Sequence, residues 1–118
     1  MSDSPAEITP GALRTMLVEG APLAVLDVRE DDERGYCTLP TPPRVPDLHI
    51  PLGSLPARLD EVRAATADGR SLVVYCHHGV RSAHAAAWLS GRGVGPCLNL
   101  EGGIDAWSAA VDPSVPRY

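Results

Sequence analysis

Cys76 closes an apolar run, Leu72-Val73-Val74-Tyr75, and is followed by His77-His78-Gly79-Val80-Arg81-Ser82. The run reads as a buried strand. The alanine-rich stretch Ser82 to Arg92 reads as a helix closed by Gly93, and the residues between as a tight turn. A thiol on such a turn meets inward-pointing backbone N–H groups, the positive end of a helix and the Arg81 guanidinium. All three favour thiolate over thiol, and the thiolate is the nucleophile. Gly79 permits the backbone angles that a tight curl needs. The spacing therefore predicts a nucleophilic Cys76 able to attack a sulfur or phosphorus centre. A persulfide formed on that sulfur would be held by the same donors.

The elements that must position this turn follow from the rest of the chain. Thr9-Pro10 reads as a helix start, Leu13, Met16 and Leu17 recur at helical spacing, and Gly20 ends the run. Leu23 to Val28 is a short apolar strand. Residues 30–47 carry the charge cluster Glu30-Asp31-Asp32-Glu33 and then Pro40, Pro42, Pro43 and Pro46, which predicts a long surface loop with the cluster solvated. Leu48 to Ile50 reads as a brief strand. Ser54-Leu55-Pro56 opens a further helix with Leu55, Leu59 and Val62 on one face. Ser71 to Tyr75 is the clearest strand. Cys97 to Leu100 reads as a last strand, and Gly102-Gly103 leads into a helix containing Trp107. Strands alternating with helices predict a parallel α/β sheet covered on both faces. In such sheets ligands bind beyond the carboxyl ends of the strands, where this reading puts Cys76.

The composition bounds the partners. The chain has 118 residues, enough for one domain with one core, and 44% of them are hydrophobic, which argues against disorder. A net charge of −5 argues against nucleic acid or an anionic membrane as a partner. Lysine is absent, so arginine carries every positive side-chain charge apart from histidine. The polar stretch Met1 to Glu7 has neither a basic nor an apolar segment of the kind an export signal needs. Three cysteines, Cys37, Cys76 and Cys97, have no pair spacing, so reduced thiols and a cytoplasmic location are expected.

Four ordered segments strongly resemble the single-domain rhodanese family of sulfurtransferases. Cys76-His77-His78-Gly79-Val80-Arg81-Ser82 is similar to that family's active loop, commonly Cys-x-x-Gly-x-Arg-Ser. Asp27-Val28-Arg29, His49-Ile50-Pro51-Leu52 and Gly102-Gly103-Ile104-Asp105-Ala106-Trp107 resemble three other family segments. The resemblance covers roughly residues 7–110, and one rhodanese-like domain is expected over 1–118. The Gly-His pair usual before the Ile-Pro segment is missing, and the interval Thr38 to Asp47 is proline-rich instead. The resemblance implies a three-layer α/β/α fold with a mostly parallel sheet of about five strands. It implies that Cys76 takes sulfane sulfur from a small anionic donor such as thiosulfate, becomes a persulfide, and passes the sulfur to a thiol or a sulfur-carrier protein. His77, His78, Gly79, Val80 and Arg81 would line the substrate site, with Arg81 holding the anionic donor. Asp27, Arg29 and Ser82 would support the loop. No metal or organic cofactor is implied.

Plainer readings stand beside these. Cys76 as an ordinary core cysteine fits poorly with the glycine and arginine after it. Cys37 reads as an incidental loop cysteine, with a resolving thiol as the sharper alternative. Cys97 reads as core. His77, His78 and His84 do not have zinc spacing. His77 and His78 are expected at the pocket mouth, whereas His84 fits either the pocket edge or an exposed helix face. Arg81 can pair with a carboxylate such as Asp27 or Glu101 and still attract an anion. Trp88 and Trp107 fit core packing, and Glu101 reads as a plain strand end. A non-catalytic recognition module is one alternative function. A phosphatase or arsenate reductase is another, but those enzymes separate cysteine and arginine by five residues, and here four intervene.

Overall fold

The computed structural model describes residues 5–118. Met1 to Ser4, part of the polar stretch read above for an export signal, lie outside the described residues. Five strands, β1 (Ala6–Ile8), β2 (Leu23–Asp27), β3 (Asp47–His49), β4 (Ser71–Tyr75) and β5 (Cys97–Leu100), form one sheet in the order β1-β5-β4-β2-β3. Every neighbouring pair is parallel. The helices are α1 (Pro10–Glu19), α2 (Asp31–Tyr36), α3 (Leu59–Thr66), α4 (Val80–Gly91) and α5 (Gly103–Ala110).

Strand periodicity builds the two faces. Leu23, Val25, Val73 and Tyr75 pack with Leu13 and Leu17 of α1 and with Ile104 and Trp107 of α5. The alternate residues, Ala24, Leu26, Leu72 and Val74, pack with Val62 of α3 and with Ala85, Ala86 and Leu89 of α4. Side chains of a strand point to opposite faces in turn, so two such clusters separated by one sheet are the three-layer arrangement expected. The small side chains of Ala85 and Ala86, both fully buried, let α4 lie close against the strands.

The local signals set most boundaries. Thr9 Oγ1 accepts the Ala12 amide at 3.1 Å, Pro10 opens α1, and Gly20 at φ 75° ends it with its N–H on Met16 O. One strand has no counterpart in the sequence reading, and one expectation is corrected. Ala6–Ile8 is a strand, paired with β5 in the register Ile8↔Leu100, although only Ile8 of its three residues is buried. Residues 31–36 are a helix, not part of a loop. Glu33 Oε1 accepts the Glu30 amide at 3.1 Å, and Asp31, Asp32 and Glu33 complement the positive end of α2. The helix expected from Ser54 begins as two short 3-10 turns, Leu52–Ser54 and Pro56–Arg58, before α3.

The connections leaving β2 and β4 diverge. After β2 the chain goes to β3 on one side, and after β4 it goes to β5 on the other. Neighbouring parallel strands whose connections part in this way leave a crevice at their carboxyl ends. Asp27 ends β2 and Cys76 follows β4, so both candidate segments meet there.

Candidate active site

Cys76 leaves β4 and enters a loop that closes on α4. Gly79 Nα–H donates to Cys76 Sγ at 3.1 Å, and the Ser82 amide does so at 3.4 Å. Two amides at the start of α4 therefore meet the sulfur, rather than the unbroken run of donors expected. Gly79 sits at φ 97°, and a Cβ there would stand 3.2 Å from the Gly102 amide nitrogen and 3.3 Å from Leu100 O. Only glycine combines that backbone angle with that approach.

The loop is held from behind by the start of α5. Ile104 N–H donates to Cys76 O at 2.9 Å and Asp105 N–H to His77 O at 3.1 Å. These bonds fix the two carbonyls against α5 and so hold the loop in place. Gly103 lies at φ 65°, and a Cβ there would collide with the carbonyls of Cys76 and His77. The Gly102-Gly103 segment thus serves the cysteine loop directly.

Asn99, 2% exposed on β5, joins this support. Its Nδ2 donates to Gly79 O at 3.1 Å, which turns its Oδ1 toward Ser82. Ser82 Oγ lies 2.5 Å from that oxygen and 3.3 Å from Cys76 Sγ. A hydroxyl has one proton to give. While Ser82 donates to Asn99, its lone pair faces the sulfur and suits a thiol; when the sulfur is charged, the hydroxyl can turn and donate to it. Sequence reasoning missed Asn99, because a single polar residue in an apolar strand was its only signal.

Arg81 points to α2. Its Nη1 and Nη2 donate to Glu33 Oε1 and Oε2 at 2.6 and 2.9 Å. The expected partners, Asp27 and Glu101, are not the ones used. Foremost through the hydrogen bond with Arg81, the Glu33 carboxyl is lowered to about 2, and the same bond raises Arg81. Glu33 was read as part of a solvated cluster; it is instead the anion that engages the loop arginine. The signal was present as a capping pattern at 30–33.

Asp27 and Arg29 are fully buried and form a bidentate pair, Nε to Oδ1 at 2.9 Å and Nη2 to Oδ2 at 2.8 Å. Burial opposes the Arg29 charge, but Asp27 and the Tyr118 phenol outweigh it and raise the guanidinium. Arg29 Nη2 also holds Cys37 O at 2.6 Å, and His49 Nε2 lies 2.8 Å from Arg29 O. Their contacts run to α2, β3 and Tyr118, and the Arg29 guanidinium also lies 5.4 Å over the ring of Tyr75, the residue before Cys76. Cys37 follows α2 in the loop as read, and it is buried there beside Arg29, with its Sγ 3.7 Å from Nη1. Cys97 is core as expected, and burial pushes its thiol up.

His77, His78 and Val80 complete the loop. Val80 is 67% exposed. The His77 and His78 rings lie against each other, centroids 3.9 Å apart and planes tilted by 31°, and burial followed by the His78 charge lowers the His77 imidazole. His84 is exposed and edges a cavity of about 320 Å³ with Leu52, Leu55, Pro56 and Trp88.

A cysteine cradled by the amides at a helix start, at the carboxyl end of β4, is found together with a family match. The chain matches the rhodanese-like domain over residues 9–110. It belongs to the rhodanese-like domain family. Among relatives of this rhodanese-like chain, it is 32% identical over 102 residues to a sulfurtransferase of Allochromatium vinosum, covering 86% of this chain and 87% of that one. It is 35% identical over 111 residues to the probable adenylyltransferase/sulfurtransferase MoeZ of Mycobacterium tuberculosis, covering 94% of this chain but only 26% of that protein. In structure it is similar to a rhodanese-like domain protein from Staphylococcus aureus, with TM-score 0.75 and 27% identity over 96% of this chain and 98% of that one. It is also similar to the human single-domain sulfurtransferase TSTD1, with TM-score 0.71 and 25% identity over 88% and 96% of the two chains.

Proposed function

We propose that this rhodanese-like domain is a sulfurtransferase that carries sulfane sulfur as a persulfide on Cys76. The observation that carries the reading is the pair of amides, Gly79 and Ser82, aimed at one sulfur at the start of α4. Relatives named as sulfurtransferases support the same class of chemistry.

The donor is a small anion of the thiosulfate type. The Cys76 thiolate attacks the outer sulfur of the donor, a new S–S bond forms, and the old one breaks with its electron pair leaving on sulfite. The terminal persulfide sulfur is then attacked by an acceptor nucleophile, cyanide in an assay or the thiol of a small molecule or carrier protein. Cys76 leaves as thiolate, which closes the cycle without any change in proton count on the protein. The amides that hold the first anion hold the persulfide, so preorganised donors serve both states. Arg81 attracts the donor in competition with Glu33, and its side chain is 35% exposed.

Thiosulfate cyanolysis tests the reading. Wild-type protein turns over, and Cys76→Ser falls to the uncatalysed background. Turnover in Cys76→Ser equal to wild type refutes the assignment.

A further inference from the structure

Cys76 is 1% exposed, so the nucleophile as folded is shut away from any donor. Tyr118 packs against the loop at His77. The Tyr118 ring stacks on the His77 ring, centroids 3.8 Å apart and planes 8° from parallel. His77 is held between Tyr118 and His78, and its Nε2 is buried without a hydrogen-bond partner. The Tyr118 hydroxyl donates to Glu33 Oε2 at 2.6 Å and accepts from Arg29 Nη1 at 3.1 Å. The same Glu33 oxygen is 2.9 Å from Arg81 Nη2. One phenol thus ties together the loop histidine, the carboxylate that engages the loop arginine, and the buried Asp27–Arg29 pair. Burial and the bond to Glu33 push this phenol up to about 12, so it stays a donor at neutral pH.

The segment 112–118 that delivers the ring is strapped down rather than loose. Ser108 Oγ donates to Val115 O at 2.6 Å, and Val115 is 5% exposed. Arg117 makes a bidentate pair with Asp105, at 2.9 and 3.1 Å. Pro113 and Pro116 restrict the strap's own conformations. The ring is held by the stack on His77, an edge contact with Tyr36 at 5.7 Å, the Arg29 guanidinium at 6.0 Å and two hydrogen bonds, at a position 42% exposed, and such local contacts at the surface open without global unfolding.

We propose that Tyr118 is the gate to Cys76 and a specificity-determining residue: its ring must leave His77 before a donor reaches the sulfur, and it admits small reagents ahead of bulky ones. When the ring leaves, Glu33 loses one donor and the histidine face becomes free, so the space created lies between His77 and the Arg81–Glu33 pair. The gate rests on Cys76 being the reacting thiol but not on sulfur transfer itself. It is therefore read by alkylation, which proceeds whether or not the protein turns over thiosulfate.

The experiment compares iodoacetamide with a bulky aryl maleimide on the full chain, with each thiol followed by peptide mass mapping. Tyr118→Ala raises the maleimide rate at Cys76 by roughly tenfold more than the iodoacetamide rate, while labelling of Cys97 does not change. Tyr118→Phe keeps the stacked ring and stays near the wild-type ratio of the two reagents. Arg117→Ala, which frees the strap from Asp105, moves the ratio in the same direction as Tyr118→Ala. An unchanged ratio in Tyr118→Ala overturns the gate. So does a rise at Cys97 that matches the rise at Cys76, because it would mean general loosening of the fold.

Discussion

At the scale of single residues, the sulfur is served by groups with different tasks. Gly79 and Ser82 amides are fixed donors, whereas the Ser82 hydroxyl can face the sulfur as acceptor or donor. Asn99 decides which, because its amide is oriented by Gly79 O. Asn99→Ala removes one of two donors to Gly79 O, which keeps the Ala83 amide, and leaves the buried Ser82 hydroxyl with Cys76 Sγ alone, which costs about 1 kcal/mol of stability. We expect the midpoint of urea unfolding to fall accordingly and thiosulfate turnover to fall with it. Asn99→Asp, which keeps the Oδ1 acceptor but replaces the Nδ2 donor facing Gly79 O, should not restore either. A fully active, fully stable Asn99→Ala would remove Asn99 from the site.

The Arg81–Glu33 pair gives a second residue-level expectation. Glu33→Gln removes the negative charge that competes with an anionic donor, so KM for thiosulfate should fall by about threefold to tenfold while kcat changes little. Arg81→Ala should raise KM by about tenfold and leave Glu33 facing the donor uncompensated. Opposite movements of KM in the two variants support the competition; parallel movements contradict it. The thiol, Gly79 and Arg81 were legible in the sequence because they are neighbours along the chain. Glu33 and Asn99 lie 48 residues before Arg81 and 17 after Ser82, so no spacing rule joined them to the loop.

At the scale of elements, the start of α5 acts as the backing plate of the cysteine loop through its amides on Cys76 O and His77 O. Gly103→Ala places a methyl group against those carbonyls in a left-handed backbone conformation. It should destabilise the protein by more than about 2 kcal/mol. A partly folded population should show a lost persulfide signal before complete loss of secondary structure. Gly11→Ala in α1, where nothing lies within 4 Å of the added carbon, is the matched comparison and should be neutral or slightly stabilising.

The tie between α2 and the loop carries a pH signature. Glu33 sits at about 2 in the folded protein against an ordinary value of 4.5, so its folded pKa is depressed. A depressed carboxyl contributes stability that is fully present above 4.5 and is lost as the pH falls from there toward about 2. Urea midpoints measured between these limits should decline in wild type, and the decline should be shallower in Glu33→Gln. Equal slopes would show that this pair does not contribute. Helix α2 was not legible as a helix because the prolines after it dominated the reading of 30–47. Its acidic first turn, with Glu33 reaching back to the Glu30 amide, is the local signal that marks it. Strand β1 escaped for another reason: only Ile8 of its three residues is buried, so it shows no alternation.

At the scale of the whole molecule, two apolar clusters on opposite faces of one parallel sheet bring the carboxyl ends of β2, β4 and β5 to a single rim. That architecture followed from alternating strand and helix patterns, and the sequence resemblance matched it. The closed state of the site did not. Tyr118 meets Glu33 across 85 residues and stacks on His77 from a segment with no periodic pattern, so only the folded chain brings them together. The same packing separates the three thiols by role: Cys97 held against Val94 O, Cys37 beside Arg29, and Cys76 alone on the cradle of amides.

The central claim is that one sulfur of the three becomes a sulfur carrier. Intact-mass measurement after brief treatment with thiosulfate, with peptide mapping under non-reducing conditions, addresses it most directly. The protein should gain the mass of a single sulfur atom at Cys76, lose it on addition of cyanide, and show no gain in Cys76→Ser. No gain in the wild-type protein, or a gain mapped to Cys37 or Cys97, would contradict the account.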